Sequence, residues 1–135
     1  AWSSSYGMRT AGLRYFNVVG PRQDPEGAYA AVIPRWLAEM LAGKQPTIFG
    51  DGETSRDFCP IANVVQANLR AAARLDAGQC PSGQAYNVAL GGRTTLRQLF
   101  DILRDALASR GLARAELEPR YEDFRAGDIR HSLAD

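Results

Sequence analysis

The sequence has 135 residues, 45% of them apolar, which is enough for one hydrophobic core. Its 16 basic and 15 acidic residues leave a formal charge of +1, so nothing in the charge favours nucleic acid or an anionic membrane as a partner. No apolar run approaches the ~20 residues that cross a bilayer. Cys59 and Cys80 lack partners at metal-ligand spacing, which indicates reduced thiols in a cytoplasmic protein.

Predicted strands and helices alternate through the first half of the chain. Residues 10–20, rich in aromatic and β-branched residues, predict a mostly buried strand that ends near Val19. Pro34 predicts an extended VIP segment and then a helix over RWLAEMLAGK, which Gly43 ends. PTIFG predicts a short strand.

The second half continues the alternation. A helix is predicted from about Asn63 to Leu75, followed by a strand over AYNVAL. The clearest helix is opened by Thr95 and Gln98, which have capping-box spacing, and runs until Gly111. ELEPRYEDFRAGDIRHS predicts a strand that passes into a polar loop. In the helix predicted from Asn63 to Leu75, one mainly apolar face is shared by Val64, Val65, Asn68, Leu69, Ala72 and Leu75. This alternation predicts an α/β fold with parallel strand pairing.

The strand end YFN is a first place where chemistry could sit. Ligands of open α/β sheets bind beyond the carboxyl ends of strands, where Phe16 would offer an apolar surface and Asn17 an amide. The structural alternative places Phe16 in the core and has Asn17 begin a turn by bonding its own backbone. Spacing alone favours the structural alternative.

The stretch GDGETSRDF, residues 50–58, is a second candidate. Its acids, Asp51, Glu53 and Asp57, lack the spacing of a calcium loop, and no Gly-Lys-Ser/Thr makes it a phosphate-binding P-loop. What remains is a turn with Arg56 on its far side, and a guanidinium forms forked hydrogen bonds with phosphate or carboxylate. A surface ion pair of Arg56 with Asp57 or Glu53 explains the stretch equally well.

RAGDIRHS, residues 125–132, is a third candidate because it combines two arginines with a carboxylate. It contains His131, the one histidine of the chain, but no serine lies in a G-x-S-x-G elbow, which disfavours a hydrolase triad. The dinucleotide motif G-x-G-x-x-G is absent as well. The pyrophosphate site of a nicotinamide cofactor would therefore lie outside this chain.

Four ordered motifs resemble one family. They are GLRYFNVVGPRQDPEGAYAAVIPRW, TIFGDGETSRDF, AYNVALGGRTTL and DFRAGDIRHSLAD. They resemble the carboxyl-terminal half of the NAD-dependent epimerase/dehydratase family of extended short-chain dehydrogenase/reductases, most of all its bacterial UDP-N-acetylglucosamine 4-epimerases. The resemblance implies an α/β fold: the carboxyl-terminal portion of a Rossmann-type parallel sheet plus the smaller substrate-binding domain. Residues 1–135 would lack the amino-terminal NAD-binding region.

The resemblance also assigns roles to individual residues. Phe16 would lie against the nicotinamide of NAD, and Asn17 would bond the substrate. Arg56 and Arg125 would hold the diphosphate of a UDP-sugar, while Asp128 would accept hydrogen bonds from the ribose hydroxyls. No metal ion is implied.

Other matched positions would line the sugar pocket. Ser132 stands where some relatives have a bulky residue, so it would leave room for a 2-acetamido group. The remaining lining residues are Ala31, Val32 and Ile33 on the sugar and diphosphate side, and Ile48 and Phe49 beside the uracil.

The chain departs from the family pattern at two points. The Tyr-x-x-x-Lys pair, whose tyrosine removes the hydroxyl proton at carbon 4 while NAD takes a hydride, is expected upstream of Ala1, so no catalytic residue is assigned here. RDFCPIAN replaces the usual R-D-F-x-Y-x-D, with Pro60 and Ala62 in place of the aromatic and the acid. Asn63 is expected to take over helix capping.

The resemblance therefore implies 4-epimerisation of a UDP-sugar for lipopolysaccharide and other surface polysaccharide synthesis, by a protein that is a homodimer when complete. UDP-N-acetylglucosamine and UDP-N-acetylgalactosamine are the favoured pair. Alternatives on the same scaffold are a 4,6-dehydratase, a uronate epimerase and a UDP-glucose 4-epimerase. Two further alternatives are a non-catalytic sugar-nucleotide-binding remnant and a structural or dimerisation fragment with exposed apolar helix faces.

Overall fold

A computed structural model describes residues 2–27 and 31–134. The helices within these ranges are α1 (Trp2–Tyr6), α2 (Val32–Leu41), α3 (Ile61–Asp76) and α4 (Leu96–Ala108). The strands are β1 (Ala11–Tyr15), β2 (Val18–Val19), β3 (Thr47–Phe49), β4 (Ser55–Arg56), β5 (Cys59–Pro60), β6 (Gln84–Val88), β7 (Thr94–Thr95), β8 (Arg120–Glu122) and β9 (His131–Ser132). The mixed helices and mainly parallel strand pairs confirm the predicted α/β class.

The described residues form two compact units. The first combines the segment that ends at Gly20 with Asp57–Gly92 and the residues from Leu133 onward. The second combines Pro21–Arg56 with Arg93–Ser132. Each unit has its own strands, helices and buried residues.

The first unit is built from parallel strands packed against α3. β1 pairs with β6 in register, with Ala11 opposite Gln84 and Tyr15 opposite Val88, and β2 pairs with β5. Its buried residues are Cys59, Val64 and Val88, with Leu13, Val18 and Ala67 packed against them. Both cysteines are free, as the sequence predicted, and burial raises the pKa of the Cys59 thiol.

The predicted strand over residues 10–20 is wrong in its continuity and its burial. The N–H of Phe16 donates to the carbonyl of Val88 at 3.2 Å, and the carbonyl of Asn17 accepts from the N–H of Cys59 at 3.1 Å. The chain therefore changes its partner strand at these two residues, which separates β1 from β2. Tyr15 is 48% exposed although its hydroxyl donates to Oδ1 of Asn68 in α3 at 3.1 Å, so α3 covers this end of β1 only in part.

The helix α3 begins two residues earlier than predicted, at Ile61. Its N-cap is Pro60 and has no side-chain hydrogen bond, so the expected capping role of Asn63 is wrong. Val64 is buried, but Val65 and Leu69 are exposed, so the predicted apolar face is confirmed only in part. These two side chains lie outside the flank of α3 that meets the strands.

The core of the second unit lies between α2, α4 and β3. Trp36, Ile48 and Phe100 are each at most 1% exposed, and the Trp36 and Phe100 rings meet edge to face with centroids 6.1 Å apart. The guanidinium carbons of Arg97 and Arg104 each lie 5.8 Å from the Phe100 ring centroid. The aromatic pair is therefore closed off by the apolar stems and charged heads of two arginines.

Helix α4 follows its prediction closely. The N–H of Gln98 donates to Oγ1 of Thr95 at 3.1 Å, and the N–H of Thr95 donates to Oε1 of Gln98 at 2.9 Å, which completes the capping box. Leu99, Phe100 and Leu107 are buried on one face. The α4 sequence therefore specified its start and its buried face locally.

Helix α2 differs from its prediction at the start. It begins at Val32, so the VIP segment is helical rather than extended. Pro34 is tolerated because the first-turn N–H groups of a helix have no partner within it. Gly43 ends the helix as predicted, with φ of 69° and its N–H on the carbonyl of Met40 at 3.0 Å.

Very short strands complete the second unit. β3 pairs in parallel with β8. β4 is the centre of a three-stranded sheet, antiparallel to β7 and parallel to β9, and each of these strands is two residues long. The antiparallel pair is an exception to the predicted parallel pairing.

Truncation of the most buried aromatic residue should unfold the second unit readily. Phe100→Ala should lower the free energy of unfolding by about 3–5 kcal/mol, because it removes a fully buried ring from the Trp36 contact. Ile102→Ala on the same helix is the control, since Ile102 is 59% exposed. Urea denaturation measures both, and equal losses in the two variants would contradict this account of the core.

Candidate functional site

Two of the three candidate segments lie side by side in the second unit. β4 carries the GDGETSRDF residues Ser55 and Arg56, and β9 carries the RAGDIRHS residues His131 and Ser132. In their parallel register Ser55 is opposite His131 and Arg56 is opposite Ser132. The structure therefore brings the predicted anion-binding Arg56 next to the predicted pocket residue Ser132.

Arg56 was predicted on the far side of a turn, but it lies in strand β4. Its Nη1 donates to the carbonyls of Ser55 at 2.9 Å and Arg130 at 3.4 Å, and its Nη2 lies 3.9 Å from Oδ1 of Asp128. The alternative of a surface pair with Asp57 or Glu53 is wrong in its partner, because the carboxylate near Arg56 is that of Asp128, from the third candidate segment. A guanidinium has five N–H donors, more than these contacts use.

Arg125 occupies the face of an aromatic ring. Its guanidinium carbon lies 3.7 Å from the ring centroid of Phe49, which is a close cation–π contact. A turn follows, in which the N–H of Asp128 donates to the carbonyl of Arg125 at 3.2 Å and Gly127 has φ of 82°. One turn therefore carries both the cation above Phe49 and the carboxylate beside Arg56.

The end of this loop is tied to the turn at Asp51. Nη2 of Arg130 bonds Oδ2 of Asp51, and this hydrogen bond, with a second from the N–H of Glu53, lowers the pKa of Asp51. Gly50 has φ of 85°, and a Cβ there would collide with the ring of Phe124. A glycine is therefore required where the loop passes over the turn.

Asp57 has a role that the sequence did not reveal. It is fully buried, and its carboxylate accepts from the N–H groups of Leu90 at 3.1 Å and Gly91 at 2.8 Å. This bond closes the loop after β6 within the first unit. The available signal was the Gly-Gly pair after AYNVAL, where backbone donors leave the strand and need an acceptor.

Asn17 is held by the same residue. Its Nδ2 donates to the backbone carbonyl of Asp57 at 3.3 Å, which is a partner distant in sequence. Phe16 is half-buried beside it. Both residues belong to the first unit, whereas the arginines described above belong to the second.

The predicted lining residues occupy different environments. Ile48 is fully buried, so its side chain belongs to the core, while Phe49 is half-buried under Arg125. Ala31 is the N-cap of α2, and Val32 and Ile33 form its first turn, where backbone N–H groups point out of the helix. The preceding residues 28–30 of the same motif lie outside the described residues.

The candidate residues of the second unit could bind an anion and also accept hydrogen bonds from hydroxyl groups. Two guanidiniums, a carboxylate and a small hydroxyl side chain come from Arg56, Arg125, Asp128 and Ser132. Among residues 2–27 and 31–134, no group of three His, Cys, Asp or Glu side chains could hold a metal ion. In the same part of the chain, no helix has the length and apolar character needed to cross a membrane.

Comparison with protein families gives a match over residues 1–89. The matching family is described as the NAD dependent epimerase/dehydratase family. A curated relative, the UDP-glucose 4-epimerase of Mycolicibacterium smegmatis, is 38% identical over 119 residues. The alignment covers 88% of this chain and 34% of that relative.

Solved structures of epimerases are similar in fold. A UDP-N-acetylglucosamine 4-epimerase from Methanobrevibacter ruminantium, in complex with UDP-N-acetylmuramic acid, has a TM-score of 0.85 and 43% identity. A UDP-glucose 4-epimerase from Thermotoga maritima, with UDP-glucose, has a TM-score of 0.83 and 37% identity. Each match covers 99% of this chain and 39% of the other chain. This chain therefore spans well under half of these relatives.

Removing the charge of Asp57 should loosen the loop after β6. Asp57→Asn should cost about 1.5–3 kcal/mol of stability, because the amide loses the charge and keeps one acceptor oxygen, so its NH2 group faces one of the N–H groups of Leu90 and Gly91. Amide hydrogen exchange at these two residues should become faster. Asp123→Asn, at an exposed position, is the control, and unchanged exchange in Asp57→Asn would show that the carboxylate does not hold the loop.

Proposed function

The chain belongs to the NAD-dependent epimerase/dehydratase family, and from this membership we propose that it supplies the UDP-sugar site of an NAD-dependent 4-epimerase. The supporting observation is that Arg56 lies beside Asp128 and opposite Ser132, while the same RAGDIRHS segment carries Arg125 over the ring of Phe49. The chain covers 39% of a similar solved structure, and the proposal adds that the complete enzyme has an amino-terminal region that holds most of the NAD.

The two arginines are the proposed anchors for the diphosphate. A diphosphate of about two negative charges would pair with Arg56 and Arg125, and charge-assisted hydrogen bonds are roughly twice as strong as neutral ones. Arg56 contacts its present carboxylate partner at only 3.9 Å, which is longer than a hydrogen bond. A phosphate oxygen at hydrogen-bond distance would therefore be a better partner than Asp128.

The nucleoside would bind beside these anchors. Phe49 offers a ring face for the uracil, and Arg125 would leave that face to meet the diphosphate. Asp128, relieved of Arg56, would accept hydrogen bonds from the ribose hydroxyls. The backbone at Ile48 and the first turn of α2 would contribute donors and acceptors without further charge.

The sugar would lie near Ser132. A side chain of this size opposite Arg56 leaves space for a 2-acetamido group, which favours UDP-N-acetylglucosamine and UDP-N-acetylgalactosamine as substrates. The similar UDP-N-acetylglucosamine 4-epimerase, in complex with an N-acetylated UDP-sugar, supports this choice. The enzyme would act in surface polysaccharide synthesis, in the cytoplasm and as a homodimer.

In the proposed chemistry, the UDP part of the substrate provides binding and the sugar part undergoes the reaction. When bound, NAD would supply reversible hydride transfer at carbon 4 of the sugar, and the tyrosine of the Tyr-x-x-x-Lys pair expected upstream would take the hydroxyl proton. Phe16 would lie against the nicotinamide and Asn17 would bond the substrate. The residues of this chain would bind the UDP tightly and the sugar weakly, so that the keto-sugar intermediate can rotate between the two hydride transfers.

A second candidate is the 4-epimerisation of UDP-glucose. The M. smegmatis and T. maritima relatives carry that name, and space for an acetamido group does not exclude a smaller hydroxyl. Turnover of UDP-glucose and UDP-N-acetylglucosamine by the intact protein with NAD, followed by NMR of the products, separates the two. Conversion of neither sugar would reject both proposals and leave the 4,6-dehydratase, uronate epimerase, non-catalytic binding and structural alternatives.

Removing the guanidinium of Arg56 should weaken UDP binding. Arg56→Ala in the intact protein should raise the dissociation constant for UDP by about tenfold or more, because a hydrogen bond from a charged donor contributes about 1.5–3 kcal/mol. Uridine, which has no diphosphate, should lose much less affinity. Isothermal titration calorimetry measures both ligands.

Arg110→Ala is the matched control, since Arg110 is exposed and bonds a carbonyl of its own helix. This variant makes the same charge change away from the site and should bind UDP normally. Equal losses for UDP and uridine in Arg56→Ala would contradict a role at the diphosphate.

Enlarging the residue at position 132 should change the sugar preference. Ser132→Tyr should lower kcat/KM for UDP-N-acetylglucosamine by about tenfold or more while UDP-glucose is affected less, because a lost or blocked pocket contact of this size is worth about 1–3 kcal/mol. Parallel assays of the two sugars in the intact protein test this. An equal loss on both sugars would show that position 132 does not line the 2-substituent pocket.

A further inference from the structure

Ser55 and His131 form a side-chain contact next to the proposed diphosphate site. Oγ of Ser55 lies 2.8 Å from Nδ1 of His131, and either atom can be the donor, depending on the tautomer of the ring. Ser55 is fully buried, whereas His131 is exposed as a whole. The two residues are opposite each other in the pairing of β4 with β9, so the contact joins the side chains of one register pair.

The backbone alone specifies this pairing weakly. Both strands are two residues long, and the N–H of Ser55 on the carbonyl of Arg130, at 2.9 Å, is one of the few bonds between them. A shift of one residue turns every side chain of a strand to the opposite face. A side-chain bond that forms only in the native register therefore contributes specificity that so short a ladder lacks.

We propose that His131 is a positioning residue for the UDP-sugar site: by bonding Ser55, it fixes the register of β9 on β4 and so places Asp128 and Ser132 against Arg56. The inference rests on the proposed function, because these three residues are the ones assigned to the nucleotide sugar. His131 itself is one residue before Ser132 and contacts β4 on the residue before Arg56. It therefore acts on both members of the neighbouring register pair.

The other tie of this loop is weaker in kind. Arg130 pairs with Asp51, but both side chains are nearly half exposed, and exposed ion pairs contribute little. The long, flexible side chain of Arg130 could also follow a one-residue shift. The Ser55 hydroxyl is buried and short, so its bond to Nδ1 tolerates no such shift. Leaving that hydroxyl unpaired would also carry a desolvation cost.

Two replacements of His131 test whether a polar atom is needed at the position of Nδ1 or whether any polar side chain is enough. The amide of His131→Asn reaches the place of Nδ1 and can donate or accept, whereas the longer amide of His131→Gln reaches the place of Nε2. Calorimetry of UDP binding to the intact protein should give His131→Asn an affinity within about twofold of the parent, and His131→Gln and Ser55→Ala a loss of about fivefold to tenfold. Ser109→Ala, whose hydroxyl bonds only within its own helix end, should bind like the parent.

A second measurement distinguishes positioning from general stability. If His131 acts by placing Asp128, then His131→Gln should change UDP affinity by less than about twofold when Asp128→Ala is already present. Full additivity of the two losses would overturn the positioning role. So would a loss in His131→Asn as large as that in His131→Gln. Thermal midpoints of all variants show whether a weakened variant is still folded.

The test also separates this inference from the proposal beneath it. If UDP binding does not depend on Arg56, the proposed function fails and the positioning role fails with it. If UDP binding depends on Arg56 but is unchanged in His131→Gln and Ser55→Ala, only the positioning role is overturned.

Discussion

The pairing of β4 with strands on both sides is the constraint on which the candidate site depends. β4 has only two residues, yet it is hydrogen-bonded to β7 on one edge and to β9 on the other. Ser55 is fully buried in this position, and Arg56 keeps a side chain that is 19% exposed. A cation held on a central strand has little freedom to move, so the loop that carries Asp128 and Arg125 can be arranged around it. Sites on such fixed elements are more precise than sites on loops.

Neighbouring residues in SRDF serve opposite purposes. Arg56 is a partly exposed cation with a long contact to a carboxylate, and so it has donors to offer a ligand. Asp57 is a buried anion whose carboxylate is occupied by two backbone N–H groups. A buried carboxylate is costly unless hydrogen bonds compensate it, which explains why Asp57 is a structural acceptor rather than the partner of Arg56. The boundary between the two compact units also falls between Arg56 and Asp57.

The parts of the fold that the sequence predicted well are those with a local cause. The capping box of α4, its apolar repeat and the glycine after α2 each depend on residues a few positions apart. The errors arose where partners distant in sequence decide the outcome. Residues 10–20 were predicted as one strand because their composition is uniform, but two different partner strands divide them at Asn17.

In the candidate site, too, partners distant in sequence could not be predicted. The resemblance named Arg56, Arg125, Asp128 and Ser132, but strands of two residues have no periodicity from which their pairing could be predicted. The contact between Arg56 and Asp128 therefore needed the structure, as did the burial of Ile48, because a residue matched to a ligand by motif can still turn its side chain into the core.

Under the proposed function, the cation–π contact between Arg125 and Phe49 couples the binding of uracil to the binding of the diphosphate. In the structure the guanidinium covers the ring face at 3.7 Å, so a base and Arg125 cannot occupy that face together. Such a contact is worth about 0.5–1 kcal/mol at an exposed site, whereas hydrogen bonds from a guanidinium to phosphate are worth about 1.5–3 kcal/mol. Exchange of the ring for a diphosphate is therefore favourable for Arg125, and because it uncovers the face of Phe49, a ligand that brings both a diphosphate and a base gains both contacts. Under the proposed function, this coupling would make UDP, rather than uridine or diphosphate alone, the part of the substrate that the site recognises, and it would leave the sugar free to turn.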